Sequence, residues 1–304
     1  MAAPATSGDA APVVAAPDPQ PRAPGFTVPP GACDCHAHVC GPATRYPLFA
    51  RRIYSPPEAT GAAEYAGLRA RLGIERAVLV QPSFYGTDNR ALLDAMAAGN
   101  GRMRGVAVLG DADDARTLER LHEAGVRGAR VNIVDLADGK GQLPVDRLRA
   151  LAGRIRPFGW HLELLMHVDE FPGLDRLLAD LPVPLVFGHL GYVRKGRGVD
   201  EPGFQAFLRL LRDGRAWAKL TGPYRISSQG LPHPDIEAFA QALRETAPRR
   251  LLWGSDWPHV MLQWNIPMPN DGDLLDLLAR WVPDAGQRRQ VLVDNPAALY
   301  GFPT

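Results

Sequence analysis

Short apolar runs alternate with amphipathic stretches along the chain from Phe26 onward. The runs are rich in branched residues and bounded by Gly, Pro or a charge, which is typical of buried strands. They predict strands over 32–39, 77–83, 105–110, 128–133, 161–167, 183–189, 216–221 and 251–256. The stretches between them carry apolar residues every three or four positions, and several end in Gly, as amphipathic helices do. The pattern therefore predicts eight successive strand–helix units.

Three architectures fit this alternation: a closed barrel, a doubly wound open sheet, or two small α/β domains. No Pro/Ser/Gly-rich linker divides the chain after residue 30, and no Gly-rich phosphate motif follows the first strand. The sequence therefore favours a single-domain α/β fold, a (β/α)8 TIM barrel over residues 26–304. Residues 1–25 are Ala/Pro-rich and bury too little apolar area to order themselves, so we expect a flexible, disordered N-terminal tail.

Composition narrows the class of partner. The chain has 304 residues, 46 % of them hydrophobic, and a formal net charge of +1. A net charge this small gives no overall electric field that would attract nucleic acid or a charged membrane. The chain also has no apolar run of about 18 residues, the length that a membrane-spanning helix needs. The N-terminus lacks the basic start and apolar centre of a secretory signal, and the three cysteines crowd into 33–40, which favours free thiols in the cytoplasm. We expect small-molecule partners bound in a pocket; the oligomeric state, a homo-oligomer included, stays open.

Reactive side chains fall at the carboxyl ends of the predicted strands. In strand order they are His36 and His38, Ser83, Arg130, His167, His189, Lys219 and Asp256. These ends converge on one mouth in a (β/α)8 barrel, which is where such barrels carry their active sites. This placement favours an enzyme over a non-catalytic binding barrel.

The first strand carries a His-x-His pair. Residues two apart share a face of a strand, so we expect His36, His38 and Asp34 to point into the barrel and Cys33 and Cys35 to point outward beneath the helices. Buried imidazoles need partners, which a metal ion or an anionic substrate would supply.

Asp256 ends the eighth predicted strand within WGSDWPH. A carboxylate at the end of a buried strand must be paired, bound to a metal or engaged in proton exchange. For His259, three residues later, the sequence leaves a substrate-facing and a solvated position open.

Several motifs together resemble one family. They are DCHAHVCGPATRYPL at 34–48, VLVQPSFYGTDN at 78–89, GVRGARVN at 125–132, WGSDWPH at 253–259 and the closing DNPAALYGF. From about Gly31 to Phe302 the chain resembles the amidohydrolase superfamily, in particular the branch of 2-pyrone-4,6-dicarboxylate lactonases and related lactone hydrolases. The resemblance implies a hydrolase that opens a lactone of a small organic acid, in aromatic-acid or sugar-acid catabolism.

The resemblance also implies residue roles. Asp256 matches the general base that activates water, and His36, His38 and His189 match residues that bind and polarise the substrate carbonyl. The positions that hold the acid groups of the substrate correspond to Tyr54, Ser83, Arg130 and Arg225, with His259 added as a candidate substrate contact. For Arg130 and Arg225 the competing interpretation is a structural ion pair.

The chain departs from the lactonase pattern at three positions. Leu136, Tyr192 and Leu165 stand where those lactonases carry two arginines and a tyrosine. With fewer cations, the site is expected to take a lactone with one or two anionic groups rather than pyrone dicarboxylate itself.

His167 is a departure of another kind, because metal-dependent members of the superfamily carry a histidine on the fifth strand. His36, His38, His167, His189 and Asp256 would supply the donors for one divalent metal ion, Zn²⁺ by preference. Metal-free catalysis remains the alternative. The rival reaction on the same barrel is a metal-dependent decarboxylation or hydration of an unsaturated or aromatic carboxylic acid.

Overall fold

The eight predicted strands form a single parallel sheet. The computed structural model describes residues 11–57, 60–134, 142–260 and 266–303. Its strands, paired in chain order, are β1 (Cys33–Ala37), β2 (Arg76–Val80), β3 (Met103–Ala107), β4 (Val126–Asn132), β5 (His161–Leu165), β6 (Leu185–Phe187), β7 (Ala216–Leu220) and β8 (Leu251–Trp253). Each overlaps its predicted range.

Helices cover the outside of this sheet. In the described residues they are α1 (Ala62–Leu72), α2 (Arg90–Ala97), α3 (Ala115–Glu123), α4 (Val145–Ile155), α5 (Leu174–Leu177), α6 (Pro202–Arg212), α7 (Glu237–Thr246), α8 (Asp271–Trp281), α9 (Ala285–Arg289) and α10 (Asn295–Tyr300). The α6 helix illustrates the sequence logic: Pro202 begins it, Arg209 and Arg212 lie in its last turn, and apolar residues at helical spacing bury one face. None of the described helices is long and apolar enough to cross a membrane.

Backbone hydrogen bonds join β1 to the segment that follows β8. The Asp256 amide donates to the His36 carbonyl at 2.7 Å, and the His38 amide donates to the Trp257 carbonyl at 2.7 Å. Gly254 permits this approach, since a Cβ there would lie 2.6 Å from Cβ of His36. The sheet therefore closes into the expected (β/α)8 barrel. The segment after the last strand, β8, meets the first strand at the His-x-His motif.

The orientation predicted for β1 is wrong. Asp34 points outward, where it accepts a hydrogen bond from Tyr65 of α1, whereas Cys33 and Cys35 pack inside the barrel with Val78 and Val106. The register with β2 shifts between Asp34 and Ala37. This bulge inserts an extra residue, so strict alternation fails there. His36 and His38 face into the barrel, as predicted, because the bulge between Asp34 and Ala37 changes which residues point inward.

The N-terminal segment lies on the barrel over part of its length. Val14 is buried beside Tyr54 and Phe84, and its amide donates to the Ser55 carbonyl at 3.1 Å. Further on, the Gly25 amide donates to Asp276 of α8 at 2.7 Å. Residues 1–10 lie outside the described residues, so a tail ending at residue 25 stays a prediction, while 11–25 make contacts that a free tail would lack.

Candidate active site

Four of the predicted catalytic residues meet at one end of the barrel. His36 lies in β1, His38 just after it, His189 after β6 and Asp256 after β8, and each is at most 3 % exposed. The His36 ring centroid lies 5.1 Å from that of His38 and 5.3 Å from that of His189. The Nε2 atoms of His36 and His38 lie 3.6 and 3.9 Å from Oδ1 of Asp256. The structure thus groups three imidazoles around one carboxylate.

The two oxygens of Asp256 have different surroundings. Oδ2 accepts from Nε of Arg225 at 2.6 Å and from the Tyr224 hydroxyl at 2.7 Å, whereas Oδ1 has no hydrogen-bond partner among the described residues. Burial would raise the pKa of this carboxyl, but the charge of the Arg225 guanidinium outweighs burial and holds the pKa below its usual range. Asp256 is therefore an ionised carboxylate with one oxygen open.

The surrounding histidines are neutral. Burial and, to a smaller extent, the charge of Lys219 lower the pKa of His36 to about 3. Burial and, to a smaller extent, the charge of Arg130 lower the pKa of His38 to about 3. The pKa of His189 is likewise lowered by burial. Nδ1 of His38 lies 2.7 Å from the Val80 carbonyl, which can only accept, so Nε2 of the neutral ring carries the lone pair that faces Asp256.

A buried ion pair beneath His36 was missed by the sequence analysis. Nζ of Lys219 donates to Oε2 of Glu163 at 2.6 Å and contacts Nδ1 of His36 at 3.1 Å. Burial would raise the pKa of Glu163, but Lys219, with His161 and His36, holds it well below its usual range. Oε1 of Glu163 lies 3.3 Å from the same Nδ1 of His36. The two partners select opposite tautomers, since Lys219 donates to Nδ1 whereas Glu163 would accept from it.

Arg130, Ser83 and Tyr54 line the wall on the β2–β4 side. Nη1 of Arg130 donates to the Gln81 carbonyl at 2.7 Å, while its Nε is buried without a partner among the described residues. Arg130 and Ser83 line a cavity of about 470 Å³. The Ser83 hydroxyl donates to the Tyr54 hydroxyl at 3.3 Å, and burial raises the pKa of Tyr54 to about 12, so Tyr54 keeps its proton. These groups offer donors to an anion.

The side chains of Arg225 and His259 make their polar contacts with other residues of the protein. The side chain of Arg225 is 9 % exposed and binds both Asp256 and, through Nη2, the Val260 carbonyl at 2.6 Å. His259 is 0 % exposed, which excludes the solvated position. Its Nδ1 lies 2.8 Å from the Tyr224 hydroxyl and its Nε2 lies 3.3 Å from Oδ1 of Asp271. Both residues therefore support Asp256 in this structure; their contact with substrate stays a prediction.

Three donors could hold a metal ion. His36, His189 and Asp256 have ligand atoms within 4.8 Å of one another, and each has a buried polar atom (Nε2, Nδ1 and Oδ1, respectively) without a partner among the described residues. Two imidazoles and a carboxylate suit a divalent ion such as Zn²⁺. His38 and His167 are not in this group. Nδ1 of the half-buried His167 lies 2.5 Å from the Tyr192 carbonyl, and its ring packs at a tilt against Tyr192 with centroids 4.5 Å apart.

Of the three departures from the lactonase pattern, Leu136 lies outside the described residues. Leu165 ends β5, and Tyr192 packs between His167 and His189. An aromatic ring therefore separates the two histidines at this side of the mouth.

Comparisons with known proteins identify the family of this chain. The sequence model of the amidohydrolase family matches residues 33–302. A 4-sulfomuconolactone hydrolase from Rhizobium radiobacter is 39 % identical over 91 % of this chain and 92 % of its own length. A 2-pyrone-4,6-dicarboxylate hydrolase from Comamonas testosteroni is 38 % identical over 92 % and 93 %.

A solved structure has the same fold and comparable chain length. It is described as a probable 2-pyrone-4,6-dicarboxylic acid hydrolase from Acinetobacter baumannii with citric acid bound. It superimposes with a TM-score of 0.77 at 27 % identity, over 90 % of this chain and 100 % of the other. The chain, with its closed barrel and its His-x-His and Asp256 motifs, therefore belongs to the amidohydrolase family.

Proposed function

We propose that the protein hydrolyses a lactone of a small anionic organic acid, with Asp256 as the general base. The observation that carries the proposal is the open oxygen of Asp256. It is buried and ionised, and neutral imidazoles surround it at the carboxyl ends of the strands, where (β/α)8 barrels carry their active sites. The named relatives support the substrate class, since each of the two enzymes acts on a cyclic ester of an acid.

The proton transfers follow from this arrangement. Oδ1 of Asp256 removes a proton from water as the water oxygen bonds to the lactone carbonyl carbon. His38 accepts a second hydrogen bond from that water through its unprotonated Nε2. When the ring C–O bond breaks, Asp256 returns its proton to the departing ring oxygen. The product is the open-chain hydroxy acid, and the carboxylate is ionised again.

His36 is the candidate donor to the developing oxyanion. When Lys219 donates to Nδ1, the neutral ring carries its proton on Nε2, which faces the same space as Oδ1 of Asp256. A fixed donor at this position favours the charge that develops in the transition state over the ground-state carbonyl.

The anionic part of the substrate is proposed to lie toward Arg130. Its guanidinium retains an unpartnered buried N–H, and Ser83 and Tyr54 add hydroxyl donors at the same wall. A carboxylate or sulfonate held here would orient the ring, and orientation contributes strongly to rate.

A divalent ion fits the same site. His36, His189 and Asp256 would hold it, with Glu163 accepting from Nδ1 of His36 so that Nε2 can bind the metal. When bound, such an ion supplies Lewis-acid polarisation of a carbonyl oxygen. The three unpartnered donors also favour the second candidate, a metal-dependent decarboxylase or hydratase of an unsaturated or aromatic acid.

A substrate panel with metal analysis tests both candidates. The purified protein is assayed on a sulfonated muconolactone, a pyrone dicarboxylate and a neutral γ-lactone, before and after chelator treatment, with metal content measured by mass spectrometry. Turnover of an anionic lactone supports the proposal. Inactivity on every lactone, together with metal-dependent conversion of an unsaturated acid, would establish the second candidate instead.

A further inference from the structure

This inference rests on the proposed role of Asp256 as the base and concerns the residues behind it. We infer that Asp271, His259 and Tyr224 form a buried positioning chain that fixes one oxygen of Asp256 and leaves the other for water. Tyr224 and Asp271 act through their neighbours and are not proposed to touch the substrate.

The chain is continuous and closed to solvent. Oδ1 of Asp271 lies 3.3 Å from Nε2 of His259, and Nδ1 of His259 lies 2.8 Å from the Tyr224 hydroxyl. That hydroxyl lies 2.7 Å from Oδ2 of Asp256. Asp256, His259 and Asp271 are 0 % exposed and Tyr224 is 2 % exposed. Every contact is therefore made in a medium where an unfavourable pairing is costly.

The count of protons fixes the direction of these bonds. The Tyr224 hydroxyl has one proton, and the Asp256 carboxylate can only accept, so this proton lies between them. The Tyr224 oxygen must then accept from His259, which places a proton on Nδ1. Nε2 of His259 then faces Oδ1 of Asp271 at 3.3 Å, and one proton between these two atoms, on either of them, completes the chain.

The far end of the chain is a polar contact inside the protein. Neither oxygen of Asp271 has an aligned hydrogen bond among the described residues, and Nε2 of His259 lies 3.3 Å from its Oδ1. A buried polar group without a partner is costly, so Asp271 and His259 stabilise each other at this position.

The backbone is shaped to make these contacts. Asp256 has φ 65° and His259 has φ 61°, in the left-handed region that residues other than glycine seldom adopt. The His259 amide donates to the Asp256 carbonyl at 2.7 Å, which closes a tight turn. Strained conformations of this kind persist where surrounding contacts enforce them, and they cluster at functional sites. Here the turn directs both side chains toward Tyr224.

The consequence concerns where the base acts. Arg225 and Tyr224 occupy Oδ2 from two fixed directions, so Oδ1 is the oxygen left to accept a proton from water. Without the Tyr224 bond the carboxylate could rotate, and small misplacements of a reacting group can cost about a hundredfold in rate. The chain thus acts on kcat through orientation and leaves the substrate-binding wall untouched.

A spectroscopic test reads the chain without any substrate. Histidine NMR of the ¹⁵N-labelled, chelator-treated full chain should show a proton on Nδ1 of His259, with the ring assigned by the loss of its signals in His259→Gln. Tyr224→Phe removes the acceptor of that proton and should shift the Nδ1 signal. An Nδ1 without a proton in folded wild-type protein would overturn the inference, whether or not a lactone is turned over.

A kinetic cycle tests whether His259 acts through Tyr224. Tyr224→Phe should lower kcat about tenfold to a hundredfold with KM changed less than about threefold. His259→Gln should lower kcat by a similar factor, and the double variant should be no worse than Tyr224→Phe alone. Multiplied losses in the double variant, or losses confined to KM, would overturn the inference.

His122→Gln is the control for replacing a histidine that makes a side-chain hydrogen bond away from the site. His122 bonds to Trp160 at 3.0 Å, at the opposite end of the barrel, so its replacement should leave kcat unchanged. Inactivity of the wild-type protein on every lactone would refute the proposed function, a result that the NMR test distinguishes from failure of the positioning chain.

Discussion

Two buried aspartates lie on opposite faces of the seam that closes the barrel, and their surroundings differ. Asp34, on the outer face, accepts from the His36 and Ser255 amides at 3.0 Å each, from the Tyr65 hydroxyl at 3.0 Å and from the Ser255 hydroxyl at 2.5 Å. Asp256, on the inner face, has two donors on Oδ2 and none on Oδ1.

The difference separates a structural carboxylate from the one that we propose to be reactive. Both oxygens of Asp34 are saturated by groups of β1, α1 and the turn after β8, so it binds the seam together. Burial raises the pKa of Asp34, whereas the charge of Arg225 overcomes burial and lowers the pKa of Asp256. An open oxygen, held ionised in a buried site, is the feature that suits catalysis.

Asp256→Asn gives the largest expected effect. The amide is nearly isosteric but cannot take a proton from water, so kcat should fall about 10²–10⁴-fold. The unfolding midpoint should change little, which circular dichroism would check. Activity within a few-fold of wild type would show that the open oxygen is not the base.

Asp34→Ala should show the reverse pattern. Removing the acceptor leaves several buried donors unpaired at the seam, so the free energy of unfolding should fall by about 3 kcal/mol. Urea denaturation measures this loss, and kcat of the folded fraction should stay within a few-fold of wild type. If Asp34→Ala kept its stability and lost kcat, the two aspartates would not differ in the way proposed.

Arg130→Met tests the anion-binding wall beside the inner aspartate. A charge-assisted contact to an anion contributes about 1.5–3 kcal/mol, so KM for an anionic lactone should rise from about tenfold to over a hundredfold. A neutral lactone should lose much less, since it never made that contact. Arg127→Met is the matched control, because Arg127 lies near the opposite end of the same strand and bonds to the His122 carbonyl. Equal losses on both lactones would make Arg130 a structural residue.

Deletion of residues 1–25 tests how far the N-terminal segment supports the mouth. Loss of the buried Val14 contact and of the Gly25 bond to Asp276 should lower the free energy of unfolding by about 1–2 kcal/mol. Deletion of residues 1–10 is the control that keeps every contact described for this segment. Identical stability of the two deletions would mean that 11–25 contribute nothing.

The smallest expected effect is a pH dependence of stability from the inner-face histidines. His36 and His38 have a pKa of about 3 when folded, against about 6.5 unfolded, so the unfolded chain binds more protons between these values. Their stabilisation is present above about pH 6.5 and is lost as the pH falls toward 3. Chelator-treated protein should lose about 1.5 kcal/mol between pH 7.5 and 6.0, spread over two rings so that each contributes less than 1 kcal/mol. His38→Asn should reduce this dependence, and an unchanged dependence would contradict neutral burial of that ring.

The sequence predicts much of the fold because each strand is a short apolar run between helical repeats. The faces of β1 could not be predicted, since the bulge between Asp34 and Ala37 depends on pairing with β2 and strict alternation was assumed. His36, His38, His189 and Asp256 were found because strand ends converge in a barrel. Their partners are set by tertiary contacts that leave little trace in the sequence.

The residues that were not predicted differ in how clearly the sequence pointed to them. Glu163 is the one carboxylate in the strand HLELL. It lies two residues after His161 and so shares a strand face with it, which could have identified Glu163 as a candidate site residue. Tyr224 was not singled out because the neighbouring Arg225 already explained the motif. Asp271 is the first residue of α8, and acidic residues are common in the first turn of a helix, so its sequence position indicated no other role. His167 was singled out as a metal ligand, and the structure places its ring against Tyr192 instead of in the His36, His189 and Asp256 group.

The most direct test of the central claim is the fate of the water oxygen. An anionic lactone is turned over in H₂¹⁸O and the product is analysed by mass spectrometry, with fragmentation to locate the label. Attack of water on the lactone carbonyl predicts one ¹⁸O atom in the newly formed carboxylate and none in the hydroxyl group. Product without label, or with label at the hydroxyl-bearing carbon, would contradict acyl transfer to water at Asp256.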